Sequence, residues 1–136
     1  GLGAPVGSVL VGDADTIDRA RRWRKMVGGG MRQAGVIAAA GLHALQHNIE
    51  RLREDHDRAA RVAAALGELP KFRLDHAPQT NMLFLHPDME LEALIPHLAA
   101  AGVKINGHRW VFHQDVSEED VGQVIESCRS YRHDTG

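Results

Sequence analysis

Read for hydrophobic spacing, the first residues carry a strand signal. Residues 6–11 (Val-Gly-Ser-Val-Leu-Val) form a short β-branched run closed by Gly12-Asp13, which predicts a buried strand. The period then changes. Ile17, Ala20, Trp23, Met26 and Val27 recur at three- and four-residue steps behind Asp13 or Asp15, either of which can cap a helix. That helix stops at Gly28-Gly29-Gly30. Residues 31–45 are apolar on nearly every side, through Val36, Ile37, Ala38, Ala39, Ala40, Leu42, Ala44 and Leu45. A helix without a polar face belongs in a core or an interface. Around Asn48 the pattern becomes one-sided: Ile49, Leu52, Ala59, Val62, Ala63 and Leu66 mark a stripe among charged residues, predicting a surface helix that ends near Gly67, before Pro70.

The last third alternates. Residues 72–74 predict an edge strand and residues 82–85 a second strand ended by Pro87. Leu91, Leu94, Ile95 and Leu98 form a helix face closed by Ala101-Gly102, and Pro96 within it implies a kink or an early break. Residues 103–105 and 109–113 predict two short strands around Asn106-Gly107, a hairpin signal. Ser117 with Asp120 forms a capping box opening a last helix, buried through Val121, Val124, Ile125 and Cys128. The order is one strand, three helices and then a small alternating unit, which predicts two packed parts with a junction near residues 48–53.

Composition narrows the class. At 136 residues, with 43% hydrophobic and 25% charged residues, the chain is an ordinary globular domain in size and make-up. A net charge of -2 argues against an obligate nucleic-acid binder. The single cysteine cannot form an internal disulfide, which fits a reducing, cytoplasmic setting. The longest apolar run, residues 34–42, is far short of the roughly 20 residues of a membrane span, and no signal peptide is visible. The chain starts almost directly in a strand-like stretch, so a preceding segment is expected.

Several groups are candidates for chemistry. The triple glycine followed by Met31-Arg32 can present backbone N–H groups, a helix N-terminus and a forked cation to a phosphate or carboxylate. It can equally be a hinge between two helices. Arg19, Arg21, Arg22, Arg24 and Lys25 sit near a helix C-terminus, where cations complement the dipole; a nucleic-acid patch and an anion site shared with Arg32 are the alternatives. Among nine histidines, His43 and His47 share a helix face, but two ligands are not a metal site, and no metal is expected. In an alternating strand Arg109, Val111 and His113 share one face, either solvated or a site wall. Cys128 has the spacing of a buried small hydrophobe.

Together the blocks Gly1-Leu-Gly-Ala-Pro-Val-Gly-Ser-Val-Leu-Val-Gly12, Arg22-Trp-Arg-Lys-Met26 and Gly28-Gly-Gly-Met-Arg-Gln-Ala-Gly35 resemble the low-specificity L-threonine aldolases. Glu54-Asp55-His56, Thr80-Asn81-Met82, Arg109-Trp-Val-Phe-His113 and Asp115-Val-Ser117 extend the resemblance over nearly the whole chain. It implies an α/β fold of the pyridoxal-phosphate-dependent transferase type (aspartate aminotransferase, fold type I). Residues 1–50 would be the C-terminal end of the large cofactor-binding domain, and residues 51–136 the small C-terminal α+β domain. The short Asn106-Gly-His108 link departs from the longer connection common in the family.

The resemblance also implies a function. Such an enzyme uses pyridoxal 5'-phosphate to cleave L-threonine, L-allo-threonine and related β-hydroxy-α-amino acids to glycine and an aldehyde. The Schiff-base lysine is expected directly before Gly1, so no catalytic residue is assigned within these residues. Arg109 corresponds to the arginine that clamps the substrate carboxylate. Lys25 and Arg32 correspond to residues at the cofactor end, where they can come from a neighbouring subunit. The implied partners are a small amino-acid substrate and further copies of the chain, as a tetramer built as a dimer of dimers with active sites at subunit interfaces. No nucleic acid and no membrane are implied. Two other readings stay open: a β-eliminating amino-acid lyase of the same fold, and a non-catalytic anion-binding module.

Overall fold

The computed structural model describes residues 1–132; residues 133–136, the end of the expected 51–136 domain, lie outside the described residues. Five helices and two strands follow in the order α1 (Ala14–Met26), α2 (Gly35–His47), α3 (Leu52–Gly67), β1 (Met82–Phe84), α4 (Leu94–Ala100), β2 (Arg109–Val111) and α5 (Glu118–Ser130). The chain divides into two compact units, Leu2–Ile49 and the residues from Glu50 onward.

The second unit holds the core. α3 begins with Glu54 and Asp55 in its first turn, complementing the helix dipole, and buries the expected stripe of Ala59, Val62, Ala63 and Leu66. α5 opens with the capping box, in which the Ser117 hydroxyl accepts from the Asp120 N–H and the Asp120 carboxylate accepts from the Ser117 N–H. β1 and β2 pair antiparallel, Met82 opposite Val111, Leu83 opposite Trp110 and Phe84 opposite Arg109. Leu83 and Trp110 turn inward with Leu85 and Phe112, against Leu94 and Leu98 of α4 and Val121 and Cys128 of α5. The expected strand at residues 72–74 is reduced to a bridge from Leu74 to Leu85, flanked by Asp75 N–H to Phe84 C=O and His86 N–H to Arg73 C=O bonds.

Two expectations for this unit fail. Residues 103–105 form no strand, and Asn106-Gly107 is not a hairpin turn. The partner of β2 is β1, because that pairing buries Leu83 and Trp110, and the Trp110 indole N–H then donates to the Gly107 carbonyl at 3.1 Å, drawing the turn onto the tryptophan. Pro96 does not break its helix. α4 starts at Leu94, so Pro96 lies in the first turn, where its missing N–H would have had no intrahelical partner.

The Leu2–Ile49 unit departs further. α1 is capped as expected, Asp13 accepting from the Thr16 N–H at 2.8 Å, but it buries no residue. Residues 6–11 are not a strand: a strand needs a ladder, none forms there, and Val9 is 86% exposed. α2 begins at Gly35, later than the apolar run suggests, because Gln33 takes φ 53, a left-handed conformation no helix continues through. Only Ala44 of α2 is buried. Among the described residues no helix is long and apolar enough to cross a membrane.

Candidate functional site

Arg109 stands at the start of β2. The strand alternates exposed, buried, exposed, so Trp110 faces the core while Arg109 and Val111 face outward. Among the described residues none accepts a hydrogen bond from the Arg109 guanidinium and none forms an ion pair with it. Beside it opens a hollow of about 390 Å3, lined by Lys104, Asn106, Trp110, Asp120 and Gln123 as well as Arg109; the Asp120 carboxylate is committed to Ser117. An uncommitted guanidinium at the rim of such a hollow presents a planar pair of donors, the geometry that matches a carboxylate. His113 follows two residues after Val111. Its Nδ1 accepts from the Asp115 N–H at 3.3 Å, and the Asp115 carboxylate lies 3.5 Å away.

The strand that carries Arg109 has only three residues, and side chains hold it at both ends. Beyond its C-terminal end, the Asn81 amide donates to the Phe112 carbonyl at 2.6 Å, and the Phe112 N–H donates to the Asn81 carbonyl at 2.9 Å. Before its N-terminal end, His108 Nε2 bonds the Met89 carbonyl at 2.9 Å, and the Leu85 N–H donates to the His108 carbonyl at 2.9 Å. Asn81 stands in a motif already singled out, yet its spacing along the chain gives no sign that it meets Phe112; only the register of β1 on β2 does.

The glycine loop serves another purpose than expected. The Gly29 N–H donates to the Arg24 carbonyl at 2.7 Å and the Gly28 N–H to the Lys25 carbonyl at 3.1 Å, with Gly28 at φ 88. This is a Schellman cap closing α1. The N–H groups of Gly28 and Gly29 are therefore committed to carbonyls, and the expectation of a cradle built from them fails. Arg32 also precedes α2 by three residues and is not in its first turn. What the loop does offer is cationic side chains. A Cβ at Gly30 would lie 2.5 Å from Lys25 Nζ, so the bare glycine lets that ammonium settle on the loop. Neither Lys25 nor Arg32 forms an ion pair among the described residues, whereas Arg21 is bound to Asp18 at 3.1 Å.

A second group of charges ties helices together. Asp55, with its side chain fully buried, accepts from Arg51 at 2.8 Å and Arg58 at 3.4 Å. Arg58 also donates to Glu118 at 2.8 Å, and Arg61 binds the second oxygen of Glu118, tying α3 to the start of α5. The Arg58 and Arg61 hydrogen bonds hold the Glu118 carboxyl below the usual carboxylate range. The i, i+4 and i, i+3 spacing of Arg51, Asp55 and Arg58 is the signal that reveals this buried group from sequence. Burial pushes the Cys128 thiol up to about 12, which keeps it protonated. The His43 and His47 rings lie 4.4 Å apart on α2, and among the described residues no three His, Cys, Asp or Glu side chains gather to hold a metal.

Comparison with known proteins adds a family. Low specificity L-threonine aldolase of Escherichia coli (strain K12) is 49% identical over 137 residues, covering 96% of this chain and 40% of the relative. Low-specificity L-threonine aldolase 1 of Arabidopsis thaliana is 42% identical, over 94% of this chain and 38% of the relative. Aldolase vrtJ of Penicillium aethiopicum is 41% identical, over 91% of this chain and 33% of the relative. The chain thus spans 40% or less of the length of these relatives. A profile described as beta-eliminating lyase matches residues 1–89. With a match over well more than half of its length, the chain belongs to the beta-eliminating lyase family.

Proposed function

We propose that the protein to which this chain belongs is a pyridoxal-phosphate-dependent aldolase that cleaves L-threonine, L-allo-threonine and related β-hydroxy-α-amino acids to glycine and an aldehyde. The observation that carries this reading is Arg109, an exposed guanidinium with no acceptor among the described residues, beside a hollow of about 390 Å3, in a chain 49% identical to a protein named for that substrate. Pyridoxal phosphate, when bound, supplies the electron sink for cleavage of the Cα–Cβ bond.

The residues present fit the cofactor's phosphate. Lys25, settled on the side-chain-free Gly30, and Arg32 are cations without an ion-pair partner among the described residues, the donor set a dianion needs. In this reading they hold the phosphate, and they can do so from a neighbouring subunit. Arg109 takes the substrate carboxylate in a bidentate grip. Fixing that group orients the substrate, so that the bond to be broken is presented in one direction and not sampled at random.

Residues 1–50 are read as the end of the large domain and residues 51–136 as the small domain, in a tetramer built as a dimer of dimers. The exposed Trp23, Met26, Val36, Leu42 and Leu45 support an assembly in which they are covered. A cytoplasmic setting agrees with a lone cysteine kept as a buried thiol.

The family description favours β-elimination as the second reading. The two give different products from L-threonine. The aldolase gives glycine and acetaldehyde in equal amounts; elimination gives 2-oxobutanoate and ammonia. Supplying L-threonine to the full-length protein and measuring all four decides between them. Absence of cofactor absorbance together with absence of any product would return the chain to the anion-binding module.

A further inference from the structure

The three glycines after α1 meet different surroundings. Gly28 takes φ 88, in the left-handed region, where any other side chain is strained. A Cβ on Gly29 would lie 2.7 Å from Arg24 Cγ and 2.9 Å from the Arg24 carbonyl oxygen, which already accepts from the Gly29 N–H. That oxygen is backbone in the last turn of α1, so it cannot give way without loosening the cap. Gly28 and Gly29 thus serve the backbone.

Gly30 does not. Its φ lies outside the left-handed region, so the backbone there accepts a side chain. The three atoms nearest to a Cβ placed on it all belong to Lys25: Nζ at 2.5 Å, Cε at 3.2 Å and Cδ at 3.3 Å. A lysine end sits on a flexible stem and swings aside with little effect on the fold. What a Cβ would displace is the ammonium. Lys25 forms no ion pair among the described residues, so shape, not charge, seats its end on the loop.

Resting on the reading of Lys25 as a ligand of the cofactor phosphate, we propose that Gly30 is the positioning residue for the Lys25 ammonium. The bare Cα leaves a seat that only glycine provides. A lysine laid along a capped loop presents its charge at one place and has less freedom to lose when the phosphate binds. The same lysine pushed off the seat keeps its charge and spreads it over many positions.

The test uses the cofactor-free full-length protein and compares binding of pyridoxal 5'-phosphate with binding of pyridoxal, which lacks the phosphate. The denaturation midpoint is measured beside them. Gly30→Ala should weaken pyridoxal 5'-phosphate roughly two- to tenfold, the equivalent of the freedom of one long side chain, and leave pyridoxal and the midpoint unchanged. Gly29→Ala should lower the midpoint. In a Lys25→Ala background Gly30→Ala should have no further effect, since its role passes through the ammonium. A Gly30→Ala protein that fails to fold or unfolds as readily as Gly29→Ala, an equal loss for both ligands, or losses that add in the double variant would overturn the positioning role. So would unchanged pyridoxal 5'-phosphate affinity in Gly30→Ala while Lys25→Ala weakens it; Lys25 would then keep its place on the phosphate. Unchanged affinity in Lys25→Ala would remove Lys25 from the phosphate, and this inference with it.

Discussion

α1 and α3 carry apolar stripes of the same helical period, and they meet opposite fates. In α3 the stripe of Ala59, Val62, Ala63 and Leu66 is buried against β1 and α5. In α1 Trp23 and Met26 lie open to solvent, as does Val27 at its C-cap, and α2 adds Val36, Leu42 and Leu45. Among the described residues, Val111 is the one exposed large hydrophobic outside Leu2–Ile49. Period decides which side of a helix is apolar; burial depends on a second surface to receive it. The unit from Glu50 onward supplies its own surface. The Leu2–Ile49 unit does not: α1 buries no residue and α2 only Ala44.

The largest effects should separate the two units by stability. Asp55→Ala leaves Arg51 and Arg58 without their buried acceptor and should cost about 3–5 kcal/mol. Leu66→Ala opens a cavity in the core and should cost about 2–5 kcal/mol. In the chain of residues 1–136, Leu42→Ala should stay within about 0.5 kcal/mol, as an exposed position does. Denaturant unfolding of the three variants checks all of these, and a large loss from Leu42→Ala would break the comparison.

The next effect separates the units by ligand. Arg32→Ala should weaken cofactor retention by about 1.5–3 kcal/mol, the worth of a charge-assisted hydrogen bond, and leave substrate preference alone. Cofactor release from the full-length protein on dilution measures it. Unchanged retention would favour the plain hinge.

These expectations also mark what the chain's pattern reveals unaided. α3 and α5 were legible because their stripes and caps are local: Glu54 and Asp55, then Ser117 with Asp120, act within one turn. Residues 6–11 misled, because β-branched residues favour a strand only where a ladder exists. The hairpin at Asn106-Gly107 misled for a related reason: β2 takes its partner from β1, more than twenty residues earlier in the chain, and the hydrophobic demand of Leu83 and Trp110 outweighs the turn signal. The proposal for Arg109 comes from the family motif, and its outward face from alternation. The bonds of Asn81 to Phe112 were not legible, since they depend on the register between strands far apart in sequence.

Acid should act on the second unit. The Glu118 carboxyl is held low by Arg58 and Arg61, and the Asp120 carboxyl by its bonds to Ser117. A depressed folded-state pKa contributes stability that is complete above the unfolded value, about 4, and is lost as pH falls through the folded value. The denaturation midpoint of this unit should therefore fall below about pH 4. Glu118→Gln should flatten that slope.

The smallest effect is spectroscopic. The two tryptophans report one unit each, Trp23 at 62% exposure and Trp110 at 6%. In residues 1–136, iodide should quench Trp23 strongly, in the Trp110→Phe variant, and Trp110 weakly, in the Trp23→Phe variant. In the proposed assembly of the full-length protein Trp23 should become protected. Equal protection of both in the 136-residue chain would erase the contrast between the units.

The most direct test of the account is the kinetics of Arg109→Lys in the full-length protein. An ammonium keeps the charge and loses the planar fork. The account predicts a fall in kcat/KM for L-threonine of about 10- to 150-fold, the equivalent of one charge-assisted bond, with cofactor content unchanged. Near-normal cleavage of L-threonine by Arg109→Lys and by Arg109→Ala would contradict it.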